Sequence, residues 1–320
     1  MTKKISRIFC LLSGVCLLFA SSCTKVSDQI EPKIDYALQD RYLLQLPSPF
    51  SSLSLLEEEE AWAKEYRIAI CFAKDLDLYQ AITAFKRASY LIPPKERSRK
   101  MELDYEVLLC YYIGKKYQEA IYTFENSPLA FADPSFPAHQ DLLVILFDSY
   151  LHTNDRTKAD KVLEYLQNYY PSIAEKLQLS LDLQEANIPA IEQFSTKPEY
   201  DYLKNLLNGY SASKKSVSKA QMLNTLMPGA GYFYLGQRQS ALTAFLLNGL
   251  FIGASYYFFA NGNIPAGVIF TGFEAGWYFG GIYGAGEEAK FYNERVYERY
   301  VTPLMNQKKL FPALTLQYAF

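Results

Sequence analysis

The sequence predicts an all-α protein, a helical repeat array followed by a glycine-rich pair of apolar helices, on three observations. Ala81, Ala120 and Ala159 stand 39 residues apart, each within the same helical pattern. Of the 16 glycines, 13 lie between Gly229 and Gly286. In that same region two runs of membrane-spanning length carry almost no charge.

Composition narrows the function classes before any motif is read. A chain of 320 residues exceeds what one core usually serves, so several modules are expected. Half of it is apolar and 21% charged, which excludes disorder. Thirty-two basic against 34 acidic residues leave a net charge of −2, without the global basic field that a nucleic-acid binder needs. Five cysteines and two histidines offer little for a disulfide scaffold, a metal or acid–base catalysis.

The chain begins with Lys3, Lys4 and Arg7, then an apolar run from Ile8 to Ala20 that ends in Ala20-Ser21-Ser22-Cys23. A basic start, a run too short to span and small residues before a cut read as a secretory signal. The segment resembles a bacterial lipoprotein signal, although Ala20 stands where that family more often has Leu. The resemblance implies cleavage after residue 22 and acylation of Cys23 by palmitate-type chains, which anchor firmly when several are present. Cys71 and Cys110, 39 residues apart, would then remain as free, buried thiols on stacked helices too distant for a bridge.

Residues 23–56 form a linker to the array. Ser54 and Glu57, three apart, make a capping box ahead of a long helical pattern. Ile68, Ala69, Phe72, Ala81, Phe85, Ala88 and Pro93 have the spacing of helix, turn and second helix stopped by proline. The figure recurs at Val107, Leu108, Tyr111, Tyr117, Ala120, Phe124 and Ser127, and at Leu146, Phe147, Tyr150, Ala159, Leu163, Leu166 and Pro171. From Glu60 to Pro171 this resembles the tetratricopeptide repeat, whose small residue lets neighbouring helices approach. That family's unit is about 34 residues. Pro94 to Lys100 and Phe131 to His139 are expected to absorb the excess as loops. Large Leu108 and Phe147, at the position of Ala69, imply looser or shifted packing. A degenerate fourth unit around Leu177, Leu181, Ala190 and Phe194 would complete a domain of residues 57–208. The packing residues are Ala81, Phe85, Ala88, Ala120, Phe124, Ala159 and Leu163. The resemblance implies a concave groove that takes a protein partner.

After a polar linker, residues 209–219, comes a glycine-rich module, 220–286. Ala241 to Ala260 is free of charge for 20 residues, about 30 Å of helix, and Ile264 to Gly286 carries only Glu274. Asn261-Gly262-Asn263 between them is a turn signal, so a transmembrane helical hairpin is expected. Residues 220–237, broken by Pro228-Gly229, would re-enter or lie in the interface. Gly272, Gly276, Gly280 and Gly284 recur every four residues and face either Gly249 and Gly253 or another copy; the former is favoured. Glu274 points away from that row and is a possible intramembrane polar site. Pro228-Gly229-Ala230-Gly231-Tyr232-Phe233-Tyr234-Leu235-Gly236 resembles the opening signature of a bacterial membrane-hairpin family of uncharacterised function, with Tyr232 where that family commonly has Gln. Residues 287–320 form a C-terminal helix and tail. The alternation from Leu314 to Phe320 is similar to the last strand of an outer-membrane barrel, but no series of such strands precedes it.

The chain has no P-loop, no His-Glu-x-x-His, no paired-cysteine metal site and no nucleophile elbow. His139 and His152 read as ordinary polar residues. No cofactor, metal or catalytic residue is expected, and an enzyme is disfavoured. The expectation is a lipid-anchored adaptor of the bacterial envelope that meets membrane lipid and a protein partner, with no nucleic acid. The alternatives are a glycine-zipper homo-oligomer and a transport accessory protein. Thr24 leans towards the outer membrane and the hairpin towards the inner; the inner membrane, facing the periplasm, is favoured.

Overall fold

The computed structural model describes residues 26–34, 42 and 45–320, and among them every regular element is a helix. These residues divide into two compact units: the described parts of Asp35–Leu183 with Thr302–Phe320, and of Met1–Ile34 with Gln184–Val301. We call them the array unit and the glycine-rich unit. The polar stretch 209–219 lies inside the second, at the junction of two of its helices, and the fourth repeat-like figure is divided between the units.

The array unit opens with α1 (Leu55–Glu58), where Ser54 and Glu57 form the expected capping box. Three helix pairs follow: α2 (Ala61–Lys74) with α3 (Leu78–Leu91), α4 (Arg97–Ile113) with α5 (Tyr117–Glu125), and α6 (His139–His152) with α7 (Arg156–Tyr169). Each pair turns through one left-handed residue, Leu76, Lys115 or Asn154, with φ of 56–58°. The three are again 39 residues apart. In each turn the next N–H reaches back five residues, from Asp77 to the Phe72 carbonyl, Lys116 to Tyr111 and Asp155 to Tyr150, at 2.8–2.9 Å. These bonds satisfy carbonyls that the ending helix leaves open. Only Asn154 is a residue that favours this conformation; at Leu76 and Lys115 it costs about 1–2 kcal/mol.

The 39-residue alanines each follow such a turn, and all three are fully buried, as are Phe85 and Ala88. Leu163 is buried and Phe124 half-buried. Leu108 and Phe147 are buried too, so the bulk at those positions is accommodated in the core. Two expectations need correction. Arg97 to Lys100 belongs to α4, so the first inter-repeat loop is shorter than the sequence suggested. Cys71 and Cys110 are both free, but only Cys110 is buried. α2 buries Ala69 and Ala73, which puts Cys71 on its exposed side, whereas α4 is enclosed on nearly every side. α8 (Pro171–Gln184) follows the third pair.

The glycine-rich unit contains α9 (Ile188–Phe194), α10 (Tyr202–Ser213), α11 (Val217–Leu226), α12 (Ala230–Tyr234), α13 (Arg238–Ala260) and α14 (Ile264–Gln307). α14 continues past Val301 into the array unit, with Pro303 near its end. Gly229 is left-handed, φ 90°, and a Cβ there would collide with the Ala241 carbonyl; one at Gly231 would strike the Ala220 carbonyl and lie 2.9 Å from Ala285 Cβ. The Pro-Gly-x-Gly stretch thus lets α12 nest among α11, α13 and α14. Asn224 accepts the Gly229 N–H at 2.9 Å and fixes that nest. Gly262, φ 77°, turns the chain between α13 and α14.

Candidate functional site

Candidate groups gather in two places: on the face of the array unit's first helices, and in the space between α13 and α14.

α4 and α6 should expose one face each if an open groove ran along them. They do not. α4 buries Glu102 through Cys110 and Tyr112; α6 buries Asp141 and Leu142, then Val144 through Tyr150. The covering groups come from the same chain. Ala313, Leu316 and Phe320 of the tail join the core formed by these helices, and Leu46 and Phe50 pack against it. Phe50, Tyr105 and Phe136 form a ring cluster with centroids 5.7–5.8 Å apart. After the short turn Pro312–Leu314 the tail is irregular, and the N–H groups of Gln317 and Tyr318 both donate to Asp141 Oδ2 at 2.9 Å. The Tyr42 hydroxyl donates to the Leu314 carbonyl at 2.8 Å, and Ala319 N–H to the Pro47 carbonyl at 3.0 Å. The tail that alternates like a strand is therefore used as a peptide laid on helices.

Burial pushes the Asp141 carboxyl up to about 6, against the two backbone donors that hold it down. Glu106, fully buried with both oxygens unpartnered, is driven well above the usual carboxylate range. Burial also raises Asp148, with His152 and the Tyr112 hydroxyl, donating at 2.6 Å, opposing it. At the edge, Glu57 meets Arg99 at 2.8 Å and is held down to about 2, chiefly by hydrogen bonds from Arg99 and Ser54. His139 is buried with Nδ1 3.0 Å from the Tyr170 hydroxyl. Among the described residues no three His, Cys, Asp or Glu side chains gather as metal ligands would.

In the glycine-rich unit the expected helix-to-helix groove is not closed by the described residues. Among them, a Cβ at Gly249, Gly253, Gly272, Gly276 or Gly280 would meet nothing within 4 Å; at Gly284 it would meet the Tyr232 hydroxyl at 2.5 Å. The reason is phenylalanine. Near the turn, Phe258 stacks on Phe270 at 5.2 Å, and Phe251 lies 6.2–6.3 Å from Phe270 and Phe273, so rings rather than glycines set the spacing. Towards the other end a cleft of about 680 Å³ opens, lined by Gly276, Gly280, Gly281 and Gly284 and by Asn248 and Trp277. Glu274 is half-buried with Oε2 unpartnered, and it does not line this cleft.

α13 is, among the described residues, the one helix long and apolar enough to cross a membrane by length and composition, with 6% of its most apolar window buried. Leu242, Leu250, Tyr256 and Tyr257 are each about 60% exposed or more. Residues 26–33 lie along α14 and run in the same direction. Val26 is buried against Gly286; Glu31 N–H donates to Glu294 at 3.0 Å and Lys33 N–H to Glu298 at 2.7 Å, while Lys290 pairs with Glu31 at 3.0 Å. Cys23 lies outside the described residues. Neither this strap nor the tail's seat was found from the sequence, because both pair segments more than 170 residues apart.

Comparison of the chain with protein-family models, with curated proteins and with solved structures finds no match in any of the three.

Proposed function

We propose that the chain is a lipid-anchored adaptor of the bacterial envelope, whose tetratricopeptide-like array holds a peptide segment while a glycine-rich helix pair sits in the bilayer. The observation that carries the adaptor reading is the tail itself: a non-helical peptide seated on α4 and α6, with two main-chain N–H groups on one buried carboxylate. Main-chain recognition by a fixed acceptor suits a peptide of varied sequence, and the buried Leu316 and Phe320 supply selectivity. A partner segment would replace the tail.

The anchor is supported by the strap. Val26 packs at the level of Gly286, where the charged half of α14 gives way to its apolar half, so the described strap begins at the boundary that the proposed bilayer would share with it. The exposed apolar surface of α13 has no other partner in its own unit.

The adaptor is tested by the fluorescent peptide Phe311–Phe320 offered to full-length protein and to a chain ending at Lys309. The shortened chain should bind it at least tenfold more tightly, and Asp141→Asn in that chain should abolish the gain. Equal binding by both chains would contradict the reading. Labelled palmitate should enter the wild type and not Cys23→Ser. The open glycine face favours a second reading, a homo-oligomer joined through Gly272, Gly276 and Gly280, and disulfide cross-links at dimer mass between Gly276→Cys copies would support it.

A further inference from the structure

The cleft between α13 and α14 has a polar bottom in the middle of an apolar helix. Asn248 is 3% exposed, and its Nδ2 donates to the Ala244 carbonyl at 2.6 Å. That bond fixes the amide's orientation, leaving Oδ1 buried and, among the described residues, without a donor. Asn248 lies 10 residues beyond Arg238, roughly 15 Å along α13. Opposite it the floor is glycine, Gly276 and Gly280, and beside them stands Trp277, whose ring is a cation-binding surface.

At the other end the cleft is bordered by Glu287 and Glu288. Glu288 accepts from Gln237, and Glu287 from the Tyr283 hydroxyl, so each keeps acceptor capacity for a further donor. Among the described residues no lysine or arginine lines the cleft. Lys290, two residues beyond Glu288, is paired with Glu31, and Arg238 stands between the lining residues Gln237 and Gln239 without itself lining the cleft. The cleft therefore offers acceptors at both ends, negative charge at one and an aromatic face at the other, with glycines leaving space for a slender molecule between.

We propose that this cleft is a binding site for a linear diamine or polyamine, one ammonium held by Glu287 and Glu288 and the other by Asn248 Oδ1 over the Trp277 ring. The site stands apart from the adaptor reading and holds whether or not the array binds a peptide.

The test is calorimetric titration of the full-length protein in detergent with spermidine, and with n-butylamine as a ligand that has only one cationic end. Spermidine should bind saturably and at least tenfold more tightly than butylamine. Asn248→Leu should erase that advantage, and Glu287→Gln with Glu288→Gln should weaken both amines. Thermal melts of the variants, and their adduct pattern in Gly276→Cys cross-linking, report whether the helix pair is intact. Absence of saturable spermidine binding would overturn the proposal, as would equal affinity for the two amines, or an intact Asn248→Leu protein that binds spermidine like the wild type.

Discussion

The two units solve opposite problems with similar helices. In the array unit, α4 and α6 are covered by the chain's own lead and tail, so that even charged residues such as Glu106 and Asp141 end up inside. In the glycine-rich unit α13 has hardly a charge to hide, yet leaves most of its apolar surface uncovered. The first unit packs its central helices against its own lead and tail. The second presents a surface that water does not solvate well, which is why a bilayer is its proposed surroundings.

The sharpest way to expose this contrast is the same substitution in each unit. Phe85 is fully buried beside Tyr66, with ring centroids 6.0 Å apart, whereas Phe245 on α13 is 54% exposed. Phe85→Ala should cost about 3–5 kcal/mol by chemical denaturation of the detergent-solubilised chain. Phe245→Ala should stay within about 0.5 kcal/mol. Comparable losses would mean that α13 is packed against protein after all.

Acidity probes the covered helices. Asp141 titrates near 3.8 when unfolded and about 6 when folded. The folded state thus favours the protonated carboxyl, so its contribution is fully present below the unfolded value and is lost as pH rises through the folded one. Between pH 4 and pH 7 the array unit should lose on the order of 2–3 kcal/mol from this group. Asp141→Asn should flatten that window; an unchanged pH profile would show that the tail does not enclose the carboxyl.

Glycines give a smaller effect of opposite sign in two places. Gly231→Ala would press on the Ala220 carbonyl and Ala285, and should cost about 1–3 kcal/mol. Gly280→Ala meets open space and should leave the monomer's melting temperature unchanged or slightly raised, since alanine is the better helix former by roughly 1 kcal/mol. A large loss at Gly280 would place a second helix against it.

What the sequence disclosed was periodic. The 39-residue recurrence located Ala81, Ala120 and Ala159 in the core, and Ser54 with Glu57 gave the cap because both signals are local. The turn at Leu76 and Lys115 was illegible, since neither residue favours a left-handed backbone and the hydrogen bonds around it enforce the shape. Glycines every four residues suggested a closed seam, but Phe251, Phe258 and Phe270 hold the helices apart, an outcome set by side-chain bulk across the pair rather than by spacing along either helix. The tail's pairing with Asp141 spans 176 residues and left no local mark beyond its alternating apolar positions.

The chain carries two tryptophans, one in each unit: Trp62 is 2% exposed in the array and Trp277 is 48% exposed on α14. Brominated phospholipid quenches only rings that touch acyl chains, so reconstituted full-length protein and its Trp62→Phe and Trp277→Phe variants separate the two units directly. Bromolipid should remove more than half of the Trp277 emission and leave Trp62 unchanged. Unquenched Trp277 in a vesicle-bound protein would contradict the claim that the glycine-rich helix pair sits in the bilayer.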